Sequence, residues 1–177
     1  MNRPFEVFEY CPKCGRGPVA PPRDPAFRCA LCGFVFFFNP AAAAGAFLHD
    51  DTGRLLFLRR AKEPARGKLA LAGGFIDYEE TAEVGLRREI REEIGLEVGP
   101  LDYLCSQVNH YLYLGIDYPV VDLFFTAAIP PSAAPQKLDG VDDLHWTRPE
   151  GLELDDLAFP SIRAAFQQLR SRGTNRG

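Results

Sequence analysis

Two cysteine pairs near the start of the chain, Cys11-Pro-Lys-Cys14-Gly and Cys29-Ala-Leu-Cys32-Gly, restrict its folding more than any other feature. A segment below about 40 residues rarely builds a core without a staple. Two CxxC pairs fourteen residues apart provide one. Four thiolates complete a closed tetrahedral shell around zinc, and the glycine after each pair permits the tight turn that aims main-chain N–H groups at sulfur. A redox dithiol fits poorly with two matched pairs, and a disulfide framework fits poorly with a chain lacking a signal peptide. Residues 1–38 are therefore expected to form a small structural zinc ribbon, with one ion on Cys11, Cys14, Cys29 and Cys32, ahead of a larger domain over 39–177. The run Phe-Val-Phe-Phe-Phe at 34–38, stopped by Asn39-Pro40, reads as the last ribbon strand or a junction, with buried core the simplest assignment. Cys105, in an apolar run, reads as a buried reduced thiol.

The second constraint is acidic. From about Glu80 to Ile94 the spacing predicts a helix in which Glu89 and Glu93 lie one turn apart with Glu92 beside them. Like charges so placed destabilise an isolated helix by roughly 0.2–0.5 kcal/mol per pair, so something cationic should compensate. Ala82, Leu86, Ile90 and Ile94 form an apolar row that fixes the helix on a core and leaves the carboxylates at the rim of a groove, while Arg87 and Arg91 on the other flank are expected in solvent. Gly85, one turn before Glu89, costs about 1 kcal/mol against alanine and so implies a close approach by a loop, ligand or backbone. Hard oxygen ligands on one face suit magnesium or manganese, which keep waters for a phosphate substrate. Taken alone, three glutamates in five residues favour an exposed charged helix, with Arg88 and Glu92 an ordinary i, i+4 pair.

The whole stretch is more specific. Gly74, five residues, Glu80, seven residues, then Arg88-Glu89-Ile90-Arg91-Glu92-Glu93-Ile94-Gly95-Leu96 resembles the Nudix hydrolase signature at every specified position. The resemblance implies an α/β/α sandwich with a mixed sheet and hydrolysis of a diphosphate linkage in a nucleoside diphosphate derivative such as ADP-ribose or NADH. It implies that Glu89, Glu92 and Glu93 bind one to three magnesium or manganese ions. Arg88 then holds a glutamate in place, Glu80 has a supporting role, and a backbone carbonyl at Gly73, beside Gly74, completes the metal site. Many members have proline where this chain has Ala72, a departure without catalytic consequence. The metal-assisted reaction is attack of water on one phosphorus. An additional carboxylate is sought among Asp142, Asp143 and Asp139, ahead of the strand-like run 144–149, although acidic residues there are more often loop solubilisers.

A zinc ribbon joined to such a domain resembles the NADH pyrophosphatase branch of the family. That branch carries Ser-Gln-Pro-Trp-Pro-Phe-Pro, where this chain has Ser106-Gln107-Val108-Asn109-His110-Tyr111-Leu112; two residues agree. The architecture matches while the substrate determinant has diverged. Asn109 and Tyr111, with His110 and Tyr113 nearby, are candidates to line a base or sugar pocket, against the plainer reading of a packed strand with a hydrogen-bonded structural His110. The competing functions are a non-catalytic nucleotide-sensing regulator that uses the ribbon as an interaction module, and isomerisation of a prenyl diphosphate. An intact glutamate set argues against the first, and Cys105 offers no clear acid/base counterpart for the second.

Other properties bound the setting. The net charge of −4 gives no general attraction for nucleic acid, and no apolar run reaches the roughly 18 residues that would span a bilayer. A cytoplasmic enzyme with a small nucleotide-type substrate is expected, and the family resemblance adds a homodimer as an assembly open to it. Strands are predicted over 41–49, 54–60, 101–114 and 120–129, and a C-terminal helix over 159–169 carries Ile162, Ala165, Phe166 and Leu169 on one stripe. Residues 61–68 and 130–135 are predicted loops.

Overall fold

In a computed structural model, which describes residues 2–17 and 26–174 with the last two as backbone alone, the chain divides into two compact units: Met1–Ala41 with His110–Val120, and Ala42–Asn109 with Val121–Gly177. In the first unit β1 (Ala26–Arg28) and β2 (Val35–Phe37) pair antiparallel, with Phe27 opposite Phe36. Gly15 and Gly33 take φ of +69° and +71°, and their N–H groups donate back to the carbonyls of Cys11 and Cys29 at 2.9 and 3.0 Å. Only a residue without a Cβ adopts this left-handed turn at no cost, and each turn curls a CxxC pair into a knuckle. Phe27 is buried between Cys11 and Cys29, with Phe8, Phe34 and Phe38 packed around them. The aromatic run is not all core: Phe36 and Phe37 are 42% and 60% exposed. Two strands of three residues have too little surface to cover five large side chains.

The second unit is a sandwich. Strands β3 (Ala41–His49), β4 (Leu55–Arg60), β5 (Leu69–Ala70), β6 (Ala72–Phe75), β7 (Asp102–Tyr113), β8 (Ile116–Ala128) and β9 (Val141–Thr147) form one sheet, ordered β5-β4-β3-β8-β7, with β6 on β3 and β9 on β4; Ala41 and the β7–β8 hairpin end from His110 to Val120 are counted with the first unit and the rest with the second. The two helices are α1 (Ala82–Ile94) and α2 (Pro160–Thr174). Alternation along β4 separates two cores: Leu56 and Leu58 pack with Leu86, Ile90 and Ile94 of α1, whereas Leu55 and Phe57 pack with Ile162, Ala165 and Phe166 of α2. The result is the expected α/β/α sandwich around a mixed sheet.

Several boundaries differ from expectation. The hairpin of β7 and β8 turns at Leu114 and Gly115, both with positive φ, and β8 then runs through Pro119, so the turn is two residues rather than five. The β9 strand starts at Val141, which puts Asp142 and Asp143 on it instead of before it. Residues 69–75 form two short strands broken at Leu71. Among the described residues no helix is long and apolar enough to cross a membrane.

Candidate active site and metal centre

Helix α1 is positioned at both ends by its own sequence. Thr81 caps the N-terminus by accepting from Val84 N–H at 3.3 Å, and Gly95, with φ of +70°, ends it by donating to the Arg91 carbonyl. Leu86, Ile90 and Ile94 are fully buried, which fixes the rotation of the helix and turns Arg88, Glu89 and Glu93 toward β6. The two glycines of that strand make room. A Cβ on Gly74 would lie 2.6 Å from the Glu89 carboxyl carbon, and one on Gly73, whose φ is +141°, would run into the Ala44 carbonyl oxygen. Gly85 is likewise closely approached: a Cβ there would meet a Glu80 carboxylate oxygen at 2.9 Å and the Ile76 backbone at 3.5 Å.

Arg88 is the hub. Its Nε and Nη2 donate to the two oxygens of Glu80 at 2.9 Å each, Nη1 donates to Glu89 Oε1 at 2.7 Å, and Nη2 also reaches the Phe75 carbonyl at 3.1 Å. Glu92 and Asp77 stand farther off, at 3.5 and 3.6 Å. The paired guanidinium holds the Glu80 carboxyl below its ordinary value, and Glu80 and Glu89 in turn hold Arg88 protonated. Arg88 is thus bound to Glu80 first, and Glu92 is its weakest carboxylate partner on the helix.

Glu93 differs from its neighbours. Its Oε2 accepts from Gly73 N–H at 2.9 Å, and burial, helped by the charges of Glu89 and Asp139, pushes its carboxyl up to about 8 despite that hydrogen bond and the charge of Arg60. At Gly73 the group that meets Glu93 is the N–H. The three glutamates are less crowded than their spacing implied. Glu92 is exposed, and among the described residues the four cysteines are the one group of three or more ligand side chains gathered closely enough to close on an ion. Glu89 and Glu93 form the inner pair.

The other candidates fall in different places. Asp143 stands opposite Arg59, on the sheet face turned toward α2 and away from α1, and its carboxylate lies 4.0 Å from Lys137. Asp142 is the extra residue of a bulge, since Arg59 faces Asp143 while Arg60 faces Val141, and it is exposed. Asp139 comes nearer: residues 136, 138 and 139 donate to the last carbonyls of α1, those of Ile94, Glu93 and Glu92. Asn109 is buried beside Asp122, whose carboxyl is raised by burial. Tyr111 is half-buried, and His110 pairs with Asp117 at 3.0 Å. Arg87, expected in solvent, instead donates to the Val98 and Gly99 carbonyls at 2.6 and 2.8 Å, pinning the chain that leaves α1. Acceptors on the main chain leave no trace in the side-chain pattern.

In the N-terminal unit one sulfur from each of the four cysteines lies within 4.8 Å of the others, with Cys11 to Cys32 and Cys14 to Cys29 both at 3.8 Å. A tetrahedron built on zinc–sulfur bonds of about 2.3 Å has edges of about 3.8 Å, so the donor set has the right size. Main-chain N–H groups of Cys32 and Leu31 pull the Cys29 thiol down to about 6, toward the thiolate that a metal requires.

Against known proteins, the NUDIX domain family profile matches residues 39–169. A curated relative, the NAD-capped RNA hydrolase NudC of Pseudomonas aeruginosa, is 27% identical over 140 residues, which is 77% of this chain and 46% of that protein. The chain thus spans about half the length of the curated relatives it matches. The ADP-ribose pyrophosphatase of Methanocaldococcus jannaschii is 38% identical over 63 residues, 36% of this chain and 37% of that one. Among solved structures, a NUDIX hydrolase from Nitrosomonas europaea superposes with a TM-score of 0.70 at 22% identity, covering 89% of this chain and 87% of that one.

Proposed function

We propose that this chain, which belongs to the NUDIX family, hydrolyses the diphosphate linkage of a nucleoside diphosphate derivative such as ADP-ribose or NADH. The observation that carries the reading is the inner pair: Glu93 is held by Gly73 N–H and raised to about 8 by burial, with Glu89 adding to it, while the nearest guanidinium is taken up by Glu80 and Glu89. Glu93 is in no ion pair among the described residues and Glu89 shares its guanidinium with Glu80, so the pair keeps oxygens for magnesium or manganese, which need few protein ligands. Such an ion, when bound, supplies charge neutralisation on the phosphate oxygens and a lowered pKa for an attacking water. The residues supply position. Glu89 and Glu93 hold the ion, with Glu92 at the rim as a further ligand; Arg88 orients Glu89 and ties it to Glu80; Gly73 and Gly74 let the β6 backbone approach the carboxylates. In the same reading residues 1–38 are a ribbon on one zinc ion, residues 39–177 the hydrolase domain, and Asn109 contributes to substrate selection through β7.

The names of the relatives support this substrate class, one acting on NAD-capped RNA and another on ADP-ribose. The experiment is a panel of NADH, ADP-ribose, FAD, NAD-capped RNA, dinucleoside polyphosphates and nucleoside triphosphates, with magnesium or manganese and products identified by mass. Two monophosphate products from a dinucleotide or from ADP-ribose are expected. Tight binding with no product from any of them would replace the hydrolase by a nucleotide-sensing regulator.

A further inference from the structure

The face of the sheet turned away from α1 carries a feature that the hydrolase site does not use. A cleft of about 300 Å³ opens there, lined by Arg59, Arg66, Lys68 and His145 around the apolar floor of Leu69, with Asp156 its single carboxylate. Strand alternation places it: Arg59 follows Leu55 and Phe57 on the α2 side of β4, and His145 pairs with Phe57 across the ladder to β9. Among the lining side chains, three cations against one carboxylate leave an excess of two positive charges.

Among the described residues none of these cations is held in an ion pair, although Asp143 faces Arg59 across the β4–β9 ladder and the Glu63 carboxylate accepts from Arg66 N–H at 3.5 Å. Among the described residues no carboxylate lies within ion-pair distance of Arg59, Arg66 or Lys68; the ion pairs that do form involve other side chains. Instead, Arg59 Nη1 donates to the Gly67 carbonyl at 2.7 Å and Lys68 Nζ to the Asp155 carbonyl at 2.9 Å. These bonds orient the cationic heads and leave their remaining N–H donors pointing elsewhere. The loop that carries Arg66 is braced as well, since Gly67 N–H donates to the Arg60 carbonyl and Arg60 N–H to that of Lys68, at 2.9 and 3.0 Å. A chain of net charge −4 thus keeps an unpaired, preoriented cationic group on one spot.

We propose that this cleft is a second anion site, taking a small phosphoryl group: an inorganic oligophosphate or the phosphate of a mononucleotide. The guanidinium of Arg59 and the ammonium of Lys68 match phosphate oxygens as charge-assisted donors. The volume stands at the low end of the range for ligand sites, which suits a mononucleotide or a diphosphate. The carboxylates of α1 lie on the opposite sheet face, so their charge does not cancel the cleft's. The site is independent of the proposed hydrolysis.

The test is a calorimetric titration of the full chain without magnesium or manganese, a condition under which the glutamate site repels phosphates. Pyrophosphate, inorganic phosphate and AMP are the probes, with sulfate as the control. Saturable binding of pyrophosphate or AMP is expected, weakened about tenfold or more by Arg66→Glu and by Arg59→Gln, and weakened in the wild type by added salt. Preference for AMP assigns the source as a nucleotide, and preference for pyrophosphate assigns it as free oligophosphate; either supports the site. The Arg66 side chain is exposed and enters no hydrogen bond or ion pair among the described residues, and its main-chain N–H, which donates to Glu63 Oε2 at 3.5 Å, is kept in the variant, so Arg66→Glu folds whether or not Arg59→Gln does. No binding to the wild type, equal binding of sulfate, or unchanged affinity in Arg66→Glu overturns the proposal.

Discussion

Glu93 occupies the least water-like position of any acidic side chain on α1. With its carboxyl raised from the ordinary 4.5 to about 8, the folded chain keeps a proton between those values that the unfolded chain has released. The stability linked to this group is therefore fully present below about pH 4.5 and is lost as pH rises through about 8. Without divalent cations, the Tm difference between the wild type and Glu93→Gln should shift against the wild type from about pH 5 to pH 8, and adding manganese should reverse that shift in the wild type alone. A difference that stays flat across the range removes Glu93 from the buried pair. Turnover of Glu93→Gln should fall by ~10²-fold or more.

The neighbouring glycines separate chemistry from folding at the same scale. A methyl group on Gly74 displaces only the end of a flexible Glu89 side chain, so Gly74→Ala should lower kcat by roughly 10–100-fold with little change in Tm. A methyl group on Gly73 meets the Ala44 main chain at a φ that L side chains rarely adopt, so Gly73→Ala should lower Tm markedly. Paired kinetics and thermal denaturation check both; equal effects of the two on Tm would reject the distinction.

At the scale of elements, the cysteine knuckles and α1 were legible because each repeats a short-range rule. The CxxC spacing and its following glycine fix a turn locally, and Leu86, Ile90 and Ile94 mark a buried stripe by period alone. The partners of Arg87 and the direction of Asp143 were not legible, because one depends on main-chain carbonyls after the helix and the other on a one-residue bulge opposite β4. The cationic cleft needs Arg59, Lys68 and His145 brought together from three strand regions, which no local pattern announces. For the knuckles the expectation is direct. Cys29→Ser should abolish bound zinc, read by elemental analysis, and open the N-terminal unit to proteolysis, while hydrolysis partly survives. Wild-type protein purified under reducing conditions with no zinc would defeat this assignment.

At the scale of the second unit, the sheet carries different duties on its two faces. The α1 face holds the carboxylates, so errors in its core become errors in their geometry; the α2 face is packing around Phe47, Phe57 and Phe166, whose rings meet at 6.1 to 6.4 Å. Ile90→Ala should cost ~2–5 kcal/mol and Phe166→Ala ~3–5 kcal/mol, since both side chains are fully buried. Measured well below either Tm, their kinetics should part company. Ile90 sits one residue after Glu89 on the row that sets the rotation of α1, so its truncation lets the Arg88 hub and Glu89 shift, and kcat should fall by about tenfold or more. Phe166 lies across the sheet from that hub, so Phe166→Ala should keep kcat within about twofold while losing at least as much stability. A loss of kcat in Phe166→Ala as large as that in Ile90→Ala would mean that the sheet transmits core disorder from one face to the other.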